Sequence, residues 1–382
     1  MSRTSTPSTS DLPIRPRGAD GLLFEGRDHR YEYVRPLVEH QDYDPLVLAR
    51  RTPLRGDGPT TVVSLRRVVM PPLPERRRRA LEEVQLAAHL DHPHIAQVYG
   101  LEVYEESPYV VTEYVPGCFL EAATATALLE GRTLSTAFAC YIAASVADAL
   151  HYAWHHASAD DEALRIVHRA VSPMTIRLGR QGEVKLTDFG VARSNLEGRM
   201  PTGPQVLRAD MAYAAPEVVR LQRPDGRADL YSLGMVLLEL LSGQYPLDPP
   251  DVAQPDEESP EVTRYNARVS TERSTWTSAG ELADRIQRFG PEDVERVARR
   301  VPGQLKRILH KALRGNPEDR YQTGAELRDD LRAYARLGRP FGAPEAAAEL
   351  APLLFGKKSS QEPRAFPTEK GVIPTPEEEP AE

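Results

Sequence analysis

Residues 166–190 read IVHRAVSPMTIRLGRQGEVKLTDFG. Short apolar runs on either side of a Gly-containing turn predict a hairpin. His168 and Arg169 stand before it and Asp188 after it. Downstream, DLYSLGMVLLELLSG (229–243) is apolar nearly all round and too short to cross a bilayer, so it predicts a central buried helix. Upstream, Phe138, Ile142, Val146 and Leu150 recur every four residues, the stripe of a helix buried on one side. GQLKRILHKAL (303–313) and TGAELRDDLRAY (323–334) predict two further amphipathic helices.

The N-terminal half has a different rhythm. YEYVRPLVEH (31–40), DPLVLARRT (44–52) and TTVVSLRRVVM (60–70) predict strands, the last two joined by an RGDG turn. ERRRRALEEVQLAAHL (75–90) predicts a helix, with Leu81, Val84 and Ala88 on one stripe and Glu83, Ala87 and Leu90 on the next. IAQVYGLEV (95–103) and PYVVTEYV (108–115) predict two more strands. The expectation is an α+β chain: a small lobe of about five strands and one helix over about 29–115, then a mainly helical lobe over about 116–336.

The chain has 382 residues, 40% of them apolar, enough for a substantial core, and a formal charge of −8. That charge gives no general attraction to nucleic acid or anionic lipid. The one local exception, Arg76–Arg79, reads as a solvated helix face. Cys118 and Cys140 have neither disulfide-framework nor metal-ligand spacing, which suits a reducing compartment. With no apolar run of membrane-span length and no signal-peptide core, a soluble cytoplasmic protein is expected. Residues 1–28 and most of 337–382, rich in Ser, Thr, Pro and Glu, predict disorder. Thr6-Pro7 and Thr375-Pro376 lie there as candidate phosphorylation sites.

Five motifs occur in order: VHR (167–169), KLTDFGVAR (185–193), AYAAPEV (212–218), DLYSLG (229–234) and NPEDRYQT (316–323). Over roughly Tyr31 to Arg336 the chain resembles a eukaryotic-like Ser/Thr protein kinase. The resemblance implies a bilobal fold. The HR-x-VSP wording resembles a bacterial subgroup, as found in myxobacteria, whose active members read HRDVSPQN, so Ser172 says nothing about activity.

Phosphoryl transfer depends on positioning and charge neutralisation, so each departure from the family can be named by the task it removes. The phosphate-covering loop has no glycine: LVEHQDYDPLVLARRTPLR (37–55) puts His40, Asp42 and Tyr43 where backbone amides should approach, and Asp42 and Asp44 would repel a polyphosphate. The phosphate-binding lysine is replaced by Arg66, and no lysine precedes Lys185. Glu83 occupies the helix-partner position, where an Arg66–Glu83 pair would be structural; Glu82 and Arg67 offer the same pairing. The catalytic base position holds Ala170. The metal-binding asparagine position holds Thr175, a poor Mg²⁺ ligand.

Arg177 of TIRL stands where a small aliphatic residue packs beneath adenine. Burying an unpaired guanidinium is costly, so it is expected to escape to solvent or pair with an acid, competing with adenine either way. Ser64 and Thr112 are further pocket positions, the first a mild change from the alanine above the ring. Asp188 remains as the only matching metal residue, and the reading preferred for Asp188, Phe189 and Gly190 is structural.

The supports are kept. Glu217 and Arg320 match a buried ion pair of the family, Asp229 matches the residue that caps the backbone around His168 and Arg169, and Phe189 packs with His168. HHASADDEALR (155–165) and the Pro/Asp/Glu/Ser-rich stretch 248–277 are surface additions. Selective loss of chemistry implies a pseudokinase acting as a signalling scaffold or allosteric partner. Its expected partners are proteins, an active kinase among them, with no nucleic acid, membrane or cofactor. The alternative is an atypical Ser/Thr kinase or nucleotidyl transferase using ATP and Mg²⁺.

Overall fold

The computed structural model describes residues 21–37, 46–68, 81, 84–156, 158–159, 162–189, 211–247 and 279–355. They fall into two compact units. Glu83, Gly190, the 38–45 part of the glycine-free loop, Arg76–Arg79, both Thr-Pro dipeptides and the 248–277 stretch lie outside the described residues.

The first unit is a six-stranded antiparallel sheet in the order β1-β2-β3-β4-β6-β5. Its strands are β1 (Leu22–Glu25), β2 (His29–Leu37), β3 (Leu46–Pro53), β4 (Thr61–Arg67), β5 (Val98–Tyr104) and β6 (Ser107–Glu113). Five match the sequence reading. The sixth, β1, corrects it, because residues 22–25 were assigned to a disordered segment. Composition averaged over 28 residues hid a short apolar run: Leu23 and Phe24 are buried, and the Phe24 ring stacks on Tyr31 at 4.7 Å and on Tyr104 at 5.3 Å. With Val47, Ala49, Val63, Leu65, Tyr109 and Val111 they form one core.

Residues 84–97, expected in the small lobe, group with the second unit instead. The helical residues 84–87 bury Val84 and Ala87 as the stripes predicted, and Leu90 follows them. The turn after them is tied to that unit by polar contacts invisible to periodicity. Asp91 N–H donates to the Tyr152 hydroxyl at 3.2 Å, His94 Nδ1 to the Val184 carbonyl at 3.0 Å, and Leu186 N–H to the His94 carbonyl at 2.9 Å. Ile95 forms a bridge with Leu186, so β5 starts only at Val98.

The second unit is mainly helical: α1 (Leu120–Leu129), α2 (Thr136–His155), α3 (Pro216–Val219), α4 (Gly226–Ser242), α5 (Ala279–Arg288), α6 (Pro291–Val297), α7 (Gly303–Ala312), α8 (Gly324–Ala335) and α9 (Ala343–Phe355). A small sheet, ordered β11-β10-β7, joins β7 (Gly117–Phe119), β10 (Ile176–Gly179) and β11 (Val184–Leu186). The 155–165 addition contains a two-stranded hairpin, β8 (Ser158–Ala159) with β9 (Glu162–Ala163). The predicted central helix is α4, buried on nearly every face. Asp225 caps its start and Gly243, at φ +69°, ends it. α2 packs against both α4 and α8.

α9 is the second correction, since 337–382 was expected to be mostly disordered. Its Ala- and Leu-rich sequence forms helix readily, and Ala346 and Leu350 are buried. Phe341, just before it, meets Phe138 edge-on at 6.4 Å. The Glu349 carboxylate accepts from the Ser135 backbone N–H at 2.6 Å and hydroxyl at 2.7 Å, placing negative charge at the N-terminus of α2. Pro-rich neighbours had diluted this signal.

Arg320 and Glu217 meet as the sequence implied. Two parallel bonds join them, Nη1 to Oε1 at 2.7 Å and Nη2 to Oε2 at 2.8 Å, with the Arg320 side chain fully buried. Its remaining donors go to the carbonyls of Arg314, Gly315 and Arg227, and it lies over the Tyr231 ring at 4.8 Å. Breaking a buried pair from one side strands the other charge. Arg320→Met is expected to lower stability by about 3–5 kcal/mol in urea unfolding, whereas Glu217→Leu combined with Arg320→Met is expected to recover part of the loss.

Candidate active site

In the first unit, β4 and β6 pair with Ser64 opposite Thr112 and Arg66 opposite Val110. The two hydroxyls bond each other at 2.6 Å. Ser64 is thus buried without an unsatisfied polar group. Arg66 is half-buried on the same strand.

In the second unit the site is built around the loop 167–175. Asp229, one turn into α4, is buried, and its two oxygens accept the backbone N–H groups of His168 and Arg169, each at 2.7 Å. Arg169 takes φ +68°, a left-handed conformation that costs a non-glycine residue energy and persists because Asp229 holds it. Burial pushes the Asp229 carboxyl up to about 7, and the two backbone bonds act against that rise. His168 is pinned in three directions. Nε2 donates to the Thr187 carbonyl at 2.7 Å, Nδ1 accepts from Ala170 N–H at 3.3 Å, and the ring meets Phe189 edge-on at 4.6 Å. Burial holds its pKa below the ordinary 6.5, so the imidazole is neutral with its proton on Nε2.

The loop so held presents no base. Ala170 is buried and ends in a methyl group. The Thr175 hydroxyl is turned into the loop, within 2.9 Å of the Ala170 carbonyl and 3.1 Å of the Ser172 carbonyl, and accepts from Ser172 N–H at 3.1 Å. The Thr175 carbonyl accepts from Thr187 N–H at 2.8 Å. Thr175 therefore works as a staple between the loop and the end of β11. Asp188, at φ +67°, takes a bond from the Thr187 hydroxyl at 3.2 Å. Among Ala170, Thr175, Arg177 and Asp188 it is the one carboxylate.

Arg177 does not escape to solvent, one of the two outcomes expected of it. It is 4% exposed, and Nε donates to the Val115 carbonyl at 2.5 Å while Nη2 donates to the Gly117 carbonyl at 3.2 Å. Its guanidinium carbon lies 5.0 Å from the centre of the Phe119 ring. The register explains this: β10 pairs with β7, opposing Arg177 to Phe119. Gly117, at φ +153°, passes so close that a Cβ there would lie 1.9 Å from the Leu178 carbonyl oxygen. Backbone carbonyls and an aromatic face thus satisfy the buried cation. Val115, Gly117 and Phe119 were missed by sequence reasoning, because backbone acceptors leave no mark in a residue pattern.

The profile of the protein kinase domain family matches residues 68–330. The chain belongs to the protein kinase family. It is 31% identical over 295 residues to a probable serine/threonine-protein kinase of Streptomyces coelicolor, SCO3848, covering 76% of this chain and 38% of that protein. To the tyrosine-protein kinase MasK of Myxococcus xanthus it is 30% identical over 336 residues, 86% of this chain and 46% of that one. The chain thus spans less than half the length of these curated relatives. The solved PknI kinase domain of Mycobacterium tuberculosis shares the fold with a TM-score of 0.55 at 23% identity, covering 84% of this chain and 99% of that one.

His168 yields a pH dependence of defined sign. The unfolded chain takes up a proton near 6.5 that the buried imidazole refuses, so stability present above that value is lost as pH falls through it. Asp229, with its raised carboxyl, contributes in the opposite sense over the same range, so the expected result of urea unfolding between pH 7.5 and 5.5 is a difference: the stability of His168→Phe gains on that of the wild type as pH falls.

Proposed function

We propose that this kinase-family chain is a pseudokinase that works by protein binding rather than by phosphate transfer. The observation that carries the reading is Arg177. A buried guanidinium bonded to the Val115 and Gly117 carbonyls stands where, by the kinase resemblance, an aliphatic side chain lies beneath adenine. Bringing in a nucleotide base would require moving a satisfied, desolvated cation. The other half of the site agrees. Ala170 offers no proton acceptor, a group commonly worth about 10²–10⁴ in rate. The Thr175 hydroxyl is already used by its own loop, so Mg²⁺ would find Asp188 without its second ligand. The residues present do not fit ATP and Mg²⁺.

The framework kept in place, Asp229 under the loop and Arg320 on Glu217, is what a kinase-shaped scaffold needs. Its partner under this reading is a protein, such as an active kinase, met in the cytoplasm. No helix among the described residues is long and apolar enough to cross a membrane. The competing reading is an atypical active Ser/Thr kinase. Asp188 and the pinned loop favour it, as do relatives that are themselves named kinases.

Thermal unfolding separates the two. Ligand binding raises Tm in proportion to the logarithm of ligand concentration over Kd, so no shift is expected with millimolar ATP and Mg²⁺. Arg177→Leu is expected to keep its fold and gain a nucleotide-dependent shift, because it removes the obstruction. Radiolabelled phosphate transfer by the wild type that disappears in Asp188→Ala would overturn the proposal.

A further inference from the structure

Leu221 is 94% exposed and takes φ +58°. It follows α3, where Leu221 N–H donates to the Val218 carbonyl at 3.0 Å and Gln222 N–H to the Glu217 carbonyl at 2.9 Å. These two bonds make a helix-ending turn whose left-handed position ordinarily holds glycine, or asparagine, because a Cβ is strained there. A leucine at this position has a strained backbone, and its isobutyl group gains nothing from burial within its own chain. Asparagine or glycine would serve the turn better. Strain held at an exposed apolar residue points to a use outside the chain.

A receptor for such a knob lies nearby in the same unit. A cavity of about 220 Å³ is lined by Leu150, Trp154, Leu230, Asp225, Arg227 and Gln322, among others. Its volume suits an isobutyl group, since a cavity of about 150 Å³ takes up benzene. Asp225 is four residues from Leu221, so knob and hole are within about 14 Å along the chain. Adjacent knob and hole on one surface are what a two-fold axis needs, because each copy's knob then reaches the other copy's hole.

The charges agree. Arg220 and Arg223 flank the knob and are exposed, with no ion pair among the described residues. At the hole, two carboxylates surround one guanidinium: Asp225 and Glu318, 37% and 71% exposed, both bonded to Arg227, which is 21% exposed. The rim thus carries net negative charge against the knob's positive flanks.

We propose that this face binds a second copy of the chain, Leu221 of each copy entering the cavity of the other, with Arg220 and Arg223 against Asp225 and Glu318. A dimer weakened by salt is expected.

The test is sedimentation velocity of the full chain at concentrations up to about 200 µM. The wild type is expected to show a concentration-dependent dimer. Leu221→Asn is expected to raise Kd at least tenfold while raising Tm by about 2 °C through relief of strain, which separates lost contact from lost fold. Arg220→Glu with Arg223→Glu in one variant, and Glu318→Lys in another, are each expected to stay monomeric. Mixed together they are expected to dimerise, because both contacts of the mixed pair then join opposite charges. A wild type monomeric throughout, a dimer indifferent to Leu221→Asn, or a mixture that stays monomeric would overturn the proposal.

Discussion

The Asp229 carboxylate holding the backbone of His168 and Arg169 is the contact on which the functional half of the molecule depends. A buried carboxyl is expensive, and the cost is met by two N–H donors at 2.7 Å, themselves buried groups needing partners. From this contact the rest follows in order. Arg169 is kept left-handed, His168 is aimed at the Thr187 carbonyl, and its ring braces Phe189. Asp229 can do this because α4 is buried on nearly all sides and cannot rotate away. The Arg320–Glu217 pair performs a similar task beside it, fixing α3 to the segment before α8.

Within each unit, several polar side chains at positions that the kinase resemblance assigns to the site make structural bonds. Thr175 bonds its own loop, and Ser64 and Thr112 bond each other. Arg177 bonds the carbonyls that follow β6. Ser64, Thr175 and Arg177 are buried, and each of these groups has a partner within its own unit. Forming any new bond at these groups would first break an old one.

Much of this was legible in the residues. The strands β2 to β6 and the buried α4 follow from hydrophobic period, and the Glu217–Arg320 pair and the Asp229 cap follow from the kinase resemblance that the motifs carry. What was misread has a common cause. The strand at Leu22–Glu25 and the helix at Ala343–Phe355 are short ordered pieces inside polar, Pro-rich ends, and averages over long windows erase them. The turn at 91–97 was assigned to the small lobe by its neighbours in sequence, whereas backbone and side-chain hydrogen bonds carry it to the second unit.

Arg177 marks the division most clearly. The sequence by itself determined that residue 177 is a cation and residue 170 an alanine, and the kinase resemblance it carries implied that the first is a pocket position and that the second lacks the family's carboxylate. Only the tertiary structure decided how that cation is tolerated. Its partners include carbonyl oxygens of Val115 and Gly117, about 60 residues away along the chain. Every residue carries such an oxygen, so no side-chain pattern can distinguish the two that β7, pairing with β10, turns toward the guanidinium. Leu221 teaches the same lesson, for its strain and exposure are properties of a backbone angle and a surface, neither of which is written in the name of a residue.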